Sequence, residues 1–222
     1  MSWAVPEVRK HLIGGLGEVV SLGADGAHIE YNRGVPMVLY EPAFLEIFQK
    51  QYGGDPRKLD EESDPRIKQA WAEVVTAFMR EARAMLHDEQ KRRGDWKRLA
   101  LSAMIFGNEY DNMLYGIDVR RWVAEGLIDE VFLYRWDIGA KKRVDDLQFF
   151  REVCQSKNIP LRPSFAHSPK FPGLDPSFPW STIDVAISAY EEGMPGITFF
   201  DGVDLWGDIN QWVAFSSFGH VD

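Results

Sequence analysis

LALSAMIFGNE, residues 99–109, is the stretch on which the fold turns. Leu99 to Phe106 is almost continuously apolar, and it breaks at Gly107 into the polar pair Asn108-Glu109. A half-buried strand alternates apolar and polar residues, whereas a strand covered on both faces reads as an unbroken apolar run. Outward from this run, four others share its form: Ala27–Tyr31, Glu130–Trp136, Pro160–Phe165 and Gly196–Phe200. Each meets polar residues at its C-terminal end: Glu30, Asn32 and Arg33; Arg135 and Asp137; His167; and Asp201. A helix-like segment separates each run from the next. The expectation is a parallel α/β sheet with its chemistry beyond the carboxyl ends of the strands.

The helical segments carry their own signals. Val8, Leu12, Ile13, Leu16, Val19 and Val20 recur at helical spacing within Pro6–Ser21, with proline in the first turn. Pro42–Tyr52 reads as a short helix inside the long connection from Gly34 to Ser63. Asp64-Pro65 opens an amphipathic helix reaching about Arg93, with Asp64 as the N-cap. Further helices are expected at Val119–Glu125, about Asp145–Lys157, Thr182–Glu192 and about Gly207–Phe218. Gly107–Ile117 and Ile138–Val144 read as loops, as does Ser168–Trp180 with its four prolines. Pro160 and Pro163 suggest that the fourth strand is short or irregular. Five strands fall three short of a (β/α)8 barrel. The pattern therefore fits either an open five-stranded sheet or the C-terminal part of a barrel.

Composition narrows the functional classes. The 222 residues suit one domain spanning 1–222, with 45% apolar and 27% charged residues. A net charge of −9 disfavours a nucleic-acid partner, since no basic face stands out. Lys91, Arg92, Arg93, Lys97 and Arg98 read as a solvated helix end. The single cysteine, Cys154, reads as a core residue, and no apolar run is long enough to span a membrane. Metal-ligand spacings, glycine-rich phosphate loops and a G-x-S-x-G elbow are missing, so neither a metal nor a cofactor is expected. Aromatics reach 13%, and Tyr40, Tyr110, Tyr115, Trp136, Trp180 and Trp206 fall near loops, where faces can stack on sugar rings. Core filling is the commoner role for any one of them.

Two segments resemble a known family. Residues 8–33, VRKHLIGGLGEVVSLGADGAHIEYNR, and 116–131, GIDVRRWVAEGLIDEV, are similar to motifs of the bacterial glycoside hydrolase family 10-like domain. GITFFDG at 196–202 fits the last strand of such a barrel. The resemblance implies that the five runs are strands four to eight of a TIM barrel, the first three being absent from an N-terminally truncated chain. The resemblance leaves room for a signal peptide upstream, so location is left open. It further implies an O-glycosidic hydrolase with a carbohydrate substrate. Glu30 stands where the family motif usually has Asp, one methylene shorter.

Glycoside hydrolysis needs two carboxyl groups flanking one bond. Glu30 is the candidate nucleophile, with Arg33 close enough in sequence to keep it ionised. Glu109 is the candidate general acid, with Phe106 and Tyr110 as neighbours that would raise its pKa. Asp201 is a third candidate carboxylate. Asn32, Arg33, Arg135, Asp137 and His167 would hold hydroxyls, and Tyr110, Trp136 and Trp206 would stack on sugar. His28 is expected to be packed in the strand body. The alternative is a sugar-binding barrel without catalysis. Oligomeric state, substrate and stereochemistry are not legible.

Overall fold

A computed structural model describes residues 2–33, 36–94, 96–134, 147–166, 187, 189–191, 193–200 and 216. In chain order the elements are α1 (Pro6–Ser21), β1 (Gly26–Glu30), α2 (Pro42–Tyr52), α3 (Pro65–Arg93), β2 (Ala100–Phe106), α4 (Glu109–Leu114), α5 (Val119–Ala124), β3 (Glu130–Tyr134), α6 (Leu147–Gln155), β4 (Leu161–Ala166) and β5 (Thr198–Phe200). The fold is α/β, with a parallel sheet ordered β1-β2-β3-β4-β5. Four strands have five to seven residues, and β5 contributes three.

The longest helix shows how sequence places the layers. Asp64 caps α3 by accepting the Arg66 N–H at 3.0 Å, and Gly94 ends it in the left-handed conformation at φ 72°. Ile67, Ala70, Trp71, Val74, Phe78, Ala82 and Leu86 line its buried stripe at helical spacing. Each large side chain there contributes roughly 1.5–3 kcal/mol by leaving water. The stripe packs on Leu101, Ala103, Ile105, Val131 and Leu133, the odd-numbered side chains of β2 and β3. Ala27 and Ile29 of β1, and α1, α5 and α6, join the same core.

All the described helices therefore cover one face of the sheet. This follows from the strand order: each parallel connection steps the same way, and right-handed crossovers then put every helix on the same side. A doubly wound sheet would reverse direction at a switch point, and none occurs among the described strands. The opposite face carries even-numbered side chains, in register as His28–Ser102–Glu130 and Glu30–Met104–Phe132–Arg162.

The sequence reading needs three corrections here. Residues 109–114 form a helix where a loop was expected, because Asn108 caps them by accepting the Asp111 N–H at 2.8 Å. β4 pairs regularly despite Pro163. Val131 N–H bonds to Pro160 O, so the alternation of ladder groups turns the Pro163 nitrogen toward β5, which begins pairing only at Ser164. The basic cluster is braced as well as solvated. Arg92 and Arg93 pair with Glu89, Arg93 also donates to Ala24 O, and Arg98 pairs with Asp129 at 2.7 Å. Asp129 also pairs with Arg83 of α3 and accepts the Leu101 N–H, tying that helix to the starts of β2 and β3. Cys154 is buried in the core, and burial pushes its thiol pKa up to about 12.

Candidate functional site

Parallel pairing brings the carboxyl ends of the strands to one rim, and the residues just past them decide what that rim can do. Glu30 ends β1 on the helix-free face. It is exposed, with no hydrogen-bond or cationic partner among the described residues. Tyr31–Arg33 then turns inward as one 3-10 turn. Tyr31 is buried between Trp3 and Trp122, at ring separations of 5.7 and 5.2 Å. Asn32 is only 3% exposed, and both ends of its amide lack partners among the described residues. It is buried just past the end of β1. The Arg33 side chain, and with it the expected Glu30–Arg33 pair, falls outside the described residues.

The β2 end is held by a residue the sequence reading passed over. Asn112 is buried; it accepts the Phe106 N–H at 3.0 Å and donates to Phe106 O and Asn108 O, each at 2.8 Å. That closes the connection back on its own strand. It also sets where Glu109 and Tyr110 point. Glu109 meets Arg120 of α5 at 3.5 Å, and Arg120 lies 4.7 Å over the Phe149 ring of α6. Tyr110 carries the Lys68 ammonium of α3 4.4 Å over its ring. Both side chains thus turn to the helix layer, while Glu30 faces the other way.

The expected Glu30–Glu109 pair does not converge on one face. Phe106 packs on Tyr115 at 5.5 Å, and the Lys68 ammonium lies over the Tyr110 ring. The sequence signal for this is the Asn108 cap, which starts a helix turn and rotates Glu109 outward.

On the helix-free face, the structure groups residues that were not grouped before. His28 is not packed in a core as expected. Solvent reaches it, Nδ1 lies 2.8 Å from Ser102 Oγ, and its ring meets Phe132 edge-on at 5.0 Å. Burial against these neighbours lowers its pKa, opposed by Glu30 and Glu130. Glu130 pairs with Arg162, which also donates to Pro195 O at 3.0 Å. Beside them Met104, Phe132 and Tyr134 form a small apolar cluster. The face thus mixes carboxylates, an imidazole, a hydroxyl and aromatic rings. Strand alternation holds the signal for it: His28, Ser102, Glu130 and Arg162 fall at even positions between apolar odd ones.

Arg135, Trp136, Asp137, His167, Asp201 and Trp206 lie outside the described residues. Among those described, no three His, Cys, Asp or Glu side chains cluster as metal ligands, and no helix is long and apolar enough to cross a membrane. No family model matches the chain, and no curated protein matches it either.

Proposed function

We propose that the chain is a carbohydrate-active protein of the glycoside hydrolase family 10-like kind. In this reading its parallel strands are part of a (β/α)8 barrel wall, and sugar binds over their carboxyl ends. One observation carries the proposal: strands in consecutive order with all the described helices on one face, and on the other face a carboxylate at a strand end, Glu30, with no cationic partner among the described residues. A singly wound sheet satisfies its bare face by curling closed, and closure turns the even-numbered side chains inward toward the mouth. Carboxylates and aromatic rings near such a mouth suit hydroxyl binding and ring stacking. The net charge of −9 favours a neutral sugar over a nucleic acid.

Glu30 is the carboxylate that hydrolysis would use. Glu109, drawn to Arg120, does not serve as its partner, which leaves Asp201 as the second carboxyl of the proposal. The non-hydrolytic alternative, a sugar-binding barrel, is favoured specifically by the contact of Glu109 with Arg120. A panel of aryl glycosides and polysaccharides distinguishes the two. Turnover that falls at least a hundredfold in Glu30→Gln and Asp201→Asn supports hydrolysis. Sugar binding without turnover supports the alternative, and neither binding nor turnover removes the proposal.

A further inference from the structure

A cleft of about 200 Å³ opens on the helix-bearing side of the sheet, lined by residues that include Met37, Val38, Tyr40, Glu61, Trp71 and Tyr115. Its three rings come from three different elements. Tyr40 precedes α2, Trp71 lies in the second turn of α3, and Tyr115 follows α4. Packing fixes them: Tyr40 sits 5.7 Å from Phe44 and 6.0 Å from Trp71, and Tyr115 rests on Phe106. Rings held in this way present fixed faces to whatever enters.

One polar group lining the cleft is not used up by the fold. Glu61, at the mouth, accepts a hydrogen bond from the Tyr40 hydroxyl at 3.0 Å but has no cationic partner among the described residues. Two acidic residues near it in sequence, Asp60 and Asp64, are already occupied. Asp60 accepts from Ser63 and Glu62, and Asp64 pairs with Arg66. Lys68, the next cation along α3, lies over Tyr110.

Three aromatic rings and a carboxylate without a cationic partner among the described residues, around an apolar pocket, attract a cation, and the rings favour a weakly hydrated one. An anion meets Glu61 unfavourably, and a neutral molecule gains nothing from it. The volume limits the guest to a small molecule. We propose that this cleft binds a small methylated ammonium. The ammonium lies against Tyr40, Trp71 and Tyr115 beside Glu61, and its methyl groups meet Met37 and Val38. The proposal is independent of the sugar reading, since it uses neither Glu30 nor the helix-free face.

Calorimetric titration of the full chain with choline chloride tests it, beside 3,3-dimethylbutan-1-ol, the neutral isostere of choline. Choline is expected to bind at least about tenfold more tightly than the alcohol, a difference that falls with added salt. Glu61→Gln, an exposed change that leaves folding intact by circular dichroism, is expected to weaken choline about tenfold and leave the alcohol unchanged. Tyr40→Phe, which keeps the ring, is expected to hold choline within about threefold of the parent. Equal binding of choline and the alcohol overturns the proposal, as does choline binding indifferent to Glu61→Gln, or no choline binding at all. A cleft that binds glucose in place of choline overturns it too.

Discussion

Replacing Asn112 by leucine should loosen the rim more than its single side chain suggests. The two residues have similar size, so the change leaves little cavity. What it removes is three hydrogen bonds, at 3.0, 2.8 and 2.8 Å, to the Phe106 N–H and to the carbonyls of Phe106 and Asn108. Those groups lie where water does not replace the lost partner, since Asn112 is 1% exposed, Phe106 5% and Asn108 8%. A buried polar group left unsatisfied costs about 1–3 kcal/mol, and carbonyls retain a second lone pair for other donors. Counting the full range for the N–H and about 1 kcal/mol for each carbonyl gives about 3–5 kcal/mol. Urea unfolding followed by circular dichroism measures it, with the midpoint falling and the slope unchanged. Asn112→Asp separates the terms. It keeps the acceptor for Phe106 N–H but turns a charged oxygen toward two carbonyls, so it should be at least as destabilising as leucine. A loss below about 1 kcal/mol for leucine would refute the reasoning, because the backbone groups would then have other partners.

Other outcomes follow from the same geometry. Gly116 and Gly94 share a left-handed backbone, at φ 75° and 72°, but a Cβ on Gly116 would stand 2.6 Å from the Trp71 carbonyl carbon while one on Gly94 meets open space. Gly94→Ala should cost about 1 kcal/mol in urea unfolding and Gly116→Ala at least about 2 kcal/mol more. Cys154, with its pKa pushed up to about 12, should react negligibly with an aromatic disulfide reagent at pH 8 in the native state and fully in 8 M urea, about the usual unfolding strength. Glu125 bridges Arg80 at 2.6 Å and Arg121 at 2.9 Å, which holds its pKa down to about 2. A depressed carboxylate stabilises above its unfolded pKa and loses that contribution as pH falls through the folded one. Glu125→Gln should therefore lower stability at pH 7 by less than about 1 kcal/mol, with the difference from the parent vanishing between about pH 4.5 and pH 2, because the pair is solvent-exposed.

The layering was legible because it rests on periodicity. Pro6–Ser21, Pro42–Tyr52 and Pro65–Arg93 start at prolines, carry apolar stripes and end at or near glycine, turn or boundary signals that single residues supply. Strand positions were legible to within one or two residues, because their apolar runs are bounded by turn residues. The direction of side chains past the strand ends was not. Glu109 follows an apolar run as Glu30 ends one, yet the Asn108 cap starts a helix and turns Glu109 toward Arg120. Asn32 shows the same limit. It is polar and sits past a strand end, but in the 3-10 turn it is buried with Tyr31. Which of two polar residues faces the mouth depends on one turn of backbone, and composition and spacing are blind to that. Asn112 was overlooked for the opposite reason: a buried asparagine bonded to its own backbone looks, in sequence, like any loop residue.

Backbone hydrogen exchange in the presence and absence of a bound oligosaccharide tests most directly whether the carboxyl ends of the strands are the working rim. Slowed exchange is expected in Glu30–Asn32 and in residues 107–112, with residues 26 and 100, at the amino ends of β1 and β2, unchanged. Protection confined to those amino ends, or to the outer helices, would contradict the assignment.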